Sequence, residues 1–181
     1  MLDVIKYETY LQDVLNQKQD IALLCENKTD KPIIATNEQS NYINEEKYIV
    51  LDAKHQGGTL VLFPKDITFT WISNESKIND IVREIYQYLL SKGLPLSVDN
   101  NDIMLKDKKL FGVMSYKLDD IYYEGLFISF NTDVNIIKQV CIKQMNKVPT
   151  KMPEEINRDT LIKLLKDLCK KYNLELYGGD Q

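Results

Sequence analysis

The chain has 181 residues, 44% of them hydrophobic and 28% charged, an ordinary globular composition with enough apolar residues to build a core. Its 23 basic and 27 acidic residues give a net charge of −4 without a block of either sign, which speaks against nucleic acid as a partner, and no apolar run reaches the roughly 18 residues that span a bilayer. A single histidine and three scattered cysteines (Cys25, Cys141 and Cys169) exclude a Cys/His zinc cluster and a disulfide framework, and the lack of a signal-peptide core sets the expectation of a cytoplasmic protein.

Along the chain, Val4, Tyr7, Leu11, Val14 and Leu15 recur at helical spacing, which predicts an amphipathic helix over 3–17. "IALLC" (21–25) and "PIIAT" (32–36) read as short buried strands joined by a polar turn, followed by a polar stretch and the strand "YIVL" (48–51). After "HQGG" come "TLVLF" and "ITFTWI", two strands separated by "PKD". In 76–93, Ile78, Ile81, Val82, Ile85 and Leu89 share a helical face, with Asn74 or Ser76 as the expected cap and Gly93 as the stop. "DIMLKD", "KKLFGVMSYK" and "IYYEGLFISFN" are strand-like with connections short enough for antiparallel hairpins. Residues 132–145 contain a short helix, 158–173 a longer one built on Leu161, Leu165, Leu168 and Tyr172, and "LELYG" closes the chain as a strand. The fold class is therefore α+β, with a mixed, largely antiparallel sheet packed with helices. The weakest boundary falls in 143–157, so 1–150 reads as the main unit and 151–181 as a C-terminal helix and strand of the same domain.

Three places carry residues able to do chemistry. His55, Gly57 and Gly58 lie between two predicted strands, where paired glycines serve either as a plain turn or as backbone that lets an anion approach. Asn101 and Asp102 precede a strand whose hairpin return brings Lys109 back toward Asp102. A lysine there suits a phosphate or oxyanion and an aspartate suits Mg²⁺, while the plainer alternative is a polar surface hairpin. Gly112, inside the apolar strand after Lys109, marks a close approach by a ligand or another backbone. Cys141 reads as a buried structural thiol and Trp71 as core.

In order and spacing, residues 20–140 resemble the catalytic domain of the biotin/lipoate protein ligase and octanoyl transferase superfamily, and lipoate–protein ligase A-like domains in particular. "NDIMLKDKKLFG" is similar to the Asn-Asp, strand, turn, Lys, Gly pattern of those enzymes, and "EGLFISFNTDV" to the His-Gly, apolar strand, Asn-x-Asp-Leu segment that follows it. The resemblance implies a ligase or acyltransferase that activates a carboxylic acid (lipoate, octanoate or biotin) with ATP and Mg²⁺ as an acyl-adenylate. The acyl group then passes to a lysine of a lipoyl or biotinyl carrier domain. It places Lys109 as the catalytic lysine, His55, Gly57, Gly58, Asn101, Asp102 and Gly112 at the nucleotide and acyl group, and Asp102 on the metal. The sequence departs from the family at "DAKHQGG", where Arg-Arg-x-Ser-Gly-Gly-Gly is usual. It departs again at Glu124 in place of histidine, and at "QVCIKQ", where a transferase cysteine would be flanked by Pro and Gly. Beside the enzyme reading, therefore, stands a catalytically degenerate member that binds an acyl group, a nucleotide or a protein without turnover.

Overall fold

The computed structural model describes residues 1–17, 20–36, 46–52, 59–99, 102–141 and 147–179. Its strands are β1 (Leu2–Asp3), β2 (Ile21–Glu26), β3 (Ile33–Thr36), β4 (Ile49–Asp52), β5 (Thr59–Leu62), β6 (Ile67–Ser73), β7 (Leu96–Asp99), β8 (Asp102–Leu105), β9 (Lys108–Lys109), β10 (Phe111–Leu118), β11 (Ile121–Ile128) and β12 (Glu175–Leu176). Its helices are α1 (Tyr7–Gln17), α2 (Ile78–Ser91), α3 (Val134–Val140) and α4 (Arg158–Lys171). The main sheet runs β1-β2-β6-β11-β10, with β12 also paired to β2. All the pairs from β2 to β10 are antiparallel, while β1 and β12 run parallel to β2. Two three-stranded sheets, β4-β3-β5 and β7-β8-β9, flank it. The expected α+β architecture is the one observed.

The main sheet is apolar on both faces, as the uninterrupted burial of β6 requires. On one face, Ala22, Phe69, Trp71, Leu126 and Ile128 pack against Ile81, Ile85 and Leu89 of α2 and Leu161, Leu165 and Leu168 of α4. On the other, Leu23, Cys25, Ile72 and Tyr123 pack against Leu11 and Val14 of α1 and Ile33 and Leu62 of the β4-β3-β5 sheet. The site lies in this second interlayer. Two element ends differ from the sequence expectation. The predicted helix over 3–17 opens as a 3₁₀ turn, Val4–Lys6, in which Asp3 accepts from the Ile5 N–H at 3.1 Å. The closing strand shortens to two residues because glycines at positive φ, Gly178 and Gly179, turn the chain away.

The larger correction concerns the start of α2. Neither Asn74 nor Ser76 caps it; Lys77 stands at the cap position without a side-chain bond. The acceptor comes instead from Glu124 of β11, fully buried on the helix-facing side of the sheet. Its Oε2 accepts from the Lys77 N–H at 2.8 Å, the Ile78 N–H at 3.1 Å and the Trp71 indole N–H at 3.0 Å. Its Oε1 accepts from the hydroxyls of Ser76 at 2.5 Å and Ser115 at 2.9 Å. A buried carboxylate is stable only when its lone pairs are filled, and here the orphan amides of a helix N-terminus supply part of the charge compensation. Next to it, a Cβ on Gly125 would lie 2.5 Å from the Thr70 Cγ2 and 3.0 Å from the Phe69 carbonyl oxygen, so only glycine lets β11 lie this close to β6.

Glu124→Ala is expected to lower the unfolding free energy by about 3 kcal/mol, because it leaves the indole and two helix amides buried without an acceptor, whereas Ser115→Ala costs about 1 kcal/mol. Urea midpoints at unchanged slope check both values.

Candidate functional site

The β8–β9 hairpin turns through Lys106 at φ +59° and carries Lys109 back beside Asp102. Lys109 is also stitched to the segment beyond residue 147: its N–H donates to the Val148 carbonyl at 2.9 Å, and its own carbonyl accepts from the Thr150 N–H at 2.8 Å. The result is a cluster of four charged residues joined by three ion pairs. Lys109 Nζ lies 2.8 Å from Asp102 Oδ1, and Lys147 Nζ lies 2.9 Å from Asp102 Oδ2 and 3.0 Å from Asp99 Oδ2. Burial opposes ionisation of Asp102, but the hydrogen bonds and positive charge of Lys109 and Lys147 outweigh it and hold its carboxyl below the usual carboxylate range. The hydrogen bonds to Asp102 and Asp99 raise Lys147 above the ordinary lysine value.

Both lysines border a cleft of about 260 Å³ in the second interlayer, whose walls include Leu60 and Leu62 of β5, Gly112 of β10, Phe127 of β11, Ile137 and Cys141. Gly112 faces Phe127 in the β10–β11 register, and a Cβ there would stand 3.2 Å from the Phe127 ring. The close approach that Gly112 marks is thus made by an aromatic wall of the cleft. Cys141, expected as a buried thiol, is half-buried at the end of α3 and lines the cleft.

Asp66 closes the floor. It is buried, and its carboxylate accepts from the Phe63 N–H at 2.9 Å, the Phe130 N–H at 2.8 Å and the Ser129 hydroxyl at 2.8 Å. It thereby latches the turn before β6 to the turn after β11, and the Asn131 side-chain amide adds a bond to the Pro64 carbonyl at 2.7 Å. Burial pushes the Asp66 carboxyl up to about 6 despite those bonds.

Of the residues singled out from sequence, Lys109 and Gly112 line one cleft and Asp102 is joined to it through its ion pair with Lys109, while its own side chain borders a separate cavity with Val98, Val113 and Ser115; His55, Gly57, Gly58 and Asn101 lie outside the described residues. Lys147 and Asp66 were not anticipated. Lys147 sits in "NKVPT" with no motif around it, and Asp66 lies in a "PKD" connection that reads as a bare turn. Among the described residues no three His, Cys, Asp or Glu side chains gather as a metal site, and both Asp102 oxygens are taken by ammonium groups. The described side chains therefore do not form a resident Mg²⁺ cage. An ion arriving with a nucleotide would draw its ligands from phosphate and water, with Asp102 adding an oxygen only by releasing a lysine.

A largely antiparallel main sheet covered by α2 and α4 on one face and by α1 and a small sheet on the other matches the fold of biotin/lipoate protein ligase catalytic domains. The chain superposes on Plasmodium falciparum LipL1 in complex with lipoate with a TM-score of 0.71 at 18% identity, covering 96% of this chain and 58% of that one. It matches the bi-partite lipoate protein ligase of Thermoplasma acidophilum with a TM-score of 0.70 at 12% identity, over 99% of this chain and 83% of that one. It matches a lipoate-protein ligase A bound with ATP with a TM-score of 0.71 at 16% identity, over 98% and 84%. At such identities the likeness establishes the fold, and the chain spans little more than half the length of the Plasmodium protein. No protein-family model matches the chain, and no curated protein sequence does.

The raised Asp66 value sets a pH dependence. The folded state holds its proton up to about pH 6, whereas the unfolded carboxyl releases it near 3.8. The folded state therefore binds more protons between these values, and the stability this group contributes is full below about pH 4 and lost as pH rises through about 6, a change of about 3 kcal/mol. Urea unfolding of the wild type and Asp66→Asn between pH 4 and 7.5 should show the wild type losing its advantage across this window; a pH-independent difference would assign the titration elsewhere.

Proposed function

We propose that the protein is a lipoate/octanoate-type acyl ligase, which activates a small carboxylic acid with ATP and passes the acyl group to a lysine of a carrier domain. The observation that carries this reading is the pair of lysines gathered by Asp102 at the mouth of an apolar interlayer, in a chain with the fold of acid-activating ligases. The acyl chain lies along Leu60, Leu62 and Phe127, which bury hydrocarbon at about 25 cal/mol per Å² and leave the carboxylate at the lysines. That carboxylate attacks the α-phosphate of ATP and pyrophosphate departs. The carrier amine then attacks the acyl carbonyl and AMP departs. Lys109 donates to the oxygens on which negative charge accumulates in both steps, and its main-chain bonds to Val148 and Thr150 hold it in place. Lys147 supplies the second cation, a point charge rather than the bidentate fork of the arginines that "DAKHQGG" lacks. Asp102 keeps the two ammonium groups together until phosphate competes for them.

A second reading, binding without turnover, draws on the same cluster: Asp99 and Asp102 already balance the two lysines, so the cluster itself carries no net positive charge toward a phosphate. Acid-dependent exchange of pyrophosphate into ATP separates the two. For a ligase, octanoate or lipoate supports exchange, and Lys109→Ala lowers it by about 100-fold or more while the urea midpoint stays close to wild type, since a half-exposed ion pair contributes at most about 1 kcal/mol. Acid and nucleotide binding without exchange favours the second reading, and retained exchange in Lys109→Ala removes the lysine from its role.

A further inference from the structure

The strand registers align residues in rows across the main sheet. One row reads Gly112, Phe127, Thr68, Cys25, from β10 through β11 and β6 to β2. Directly paired residues point to the same face, so all four project into the second interlayer. Gly112 and Phe127 line the lysine cleft. Thr68 lines a further chamber of about 170 Å³ together with Tyr7 and Glu8 of α1, Ala35, Leu51 and Leu62. Leu62 borders both spaces, and the inner face of the small sheet, where Leu62, Ala35 and Leu51 sit, roofs them in sequence. The chamber thus adjoins the cleft across Leu62, with Thr68 two strand spacings (about 10 Å) from Gly112, and it opens to the surface at Ile5 and Asp52.

This inner end is not lined as a hydrocarbon socket would be. Thr68 is 1% exposed, and its Oγ1 is the one buried side-chain polar atom without a hydrogen-bond partner among the described residues. The Cys25 thiol, paired with it across β2 and β6, is a neighbour able to interact with it, but a thiol is a weak hydrogen-bonding group and meets no full hydrogen-bond geometry here. Leaving a buried hydroxyl unpaired costs about 1–3 kcal/mol, and valine has the same shape without that cost. Beside it, the Tyr7 hydroxyl donates to Thr70 Oγ1 at 2.7 Å and shares a 2.6 Å bond with the Tyr123 hydroxyl, and the carboxylate-bearing Glu8 and Asp52 complete the rim.

We propose that the chamber recognises the far end of the acid substrate, and that this end carries an O–H or N–H donor that bonds to Thr68. The favoured substrates are medium-chain acids with a terminal hydroxyl or amine over a plain fatty acid of equal length. The inference rests on the acid-activating reading above. A site built around a buried acceptor discriminates strongly against the analogue lacking the donor, because the acceptor then stays unpaired.

Octanoate and 8-hydroxyoctanoate form the test pair, differing only in that donor. Calorimetric titration of the whole chain in the presence of ATP should give an affinity about tenfold higher for 8-hydroxyoctanoate, one hydrogen bond's worth. In Thr68→Val the two acids should bind within about twofold of each other. Equal affinities in the wild type, a preference for octanoate, or a preference that survives Thr68→Val would overturn the assignment. If octanoate binds and supports pyrophosphate exchange without discrimination, only this inference falls. If neither acid binds, the acid-activating reading falls with it.

Discussion

The Glu124 carboxylate is the constraint on which the rest of the structure depends. It joins the indole of β6, a hydroxyl of β10 and the first amides of α2 in one buried cluster, and so fixes how the helical layer sits on the sheet. Because strand residues alternate sides, the same stretch of β11 presents Tyr123, Gly125 and Phe127 to the opposite face. Tyr123 holds the hydroxyl of α1, Gly125 brings β11 close to β6, and Phe127 forms a wall of the lysine cleft. One strand thus anchors the scaffold with its even-numbered residues and shapes the interlayer with its odd-numbered ones.

Much of this was legible in the sequence. The strongly periodic α2 and α4 and the hairpin returning Lys109 to Asp102 follow from spacing and turn length, because these signals are local. The cap of α2 was not legible, since its acceptor lies 46 residues further along the chain and no local motif encodes a bond of that range. The same reason hid Lys147, whose significance comes only from folding onto Asp99 and Asp102, and Asp66, whose partners follow β11. Glu124 is the instructive case. By resemblance an acid at that position looks like a defect in the site, yet the register turns its side chain toward the helices, where it serves the scaffold.

Electrostatically the site is held in balance. Asp102 and Asp99 neutralise Lys109 and Lys147 before anything binds, which lowers the cost of half-burying two ammonium groups. The same pairing means that any anion reaching these lysines would have to displace a carboxylate. Asp66, buried opposite, adds no fixed charge to the cleft floor at acidic pH and a full one at alkaline pH.

The row Gly112–Phe127–Thr68–Cys25 also acts as a ruler. Because it crosses the strands instead of following one, its graduations are inter-strand spacings of about 4.8 Å, fixed by backbone hydrogen bonds and independent of side-chain choice. Each position is a single residue on a separate strand, so enlarging one of them shortens the usable length by a whole graduation and leaves those before it intact. On the proposed acyl-ligase function, chain-length selectivity would therefore change in steps, one residue at a time, without disturbing the lysines at the zero mark.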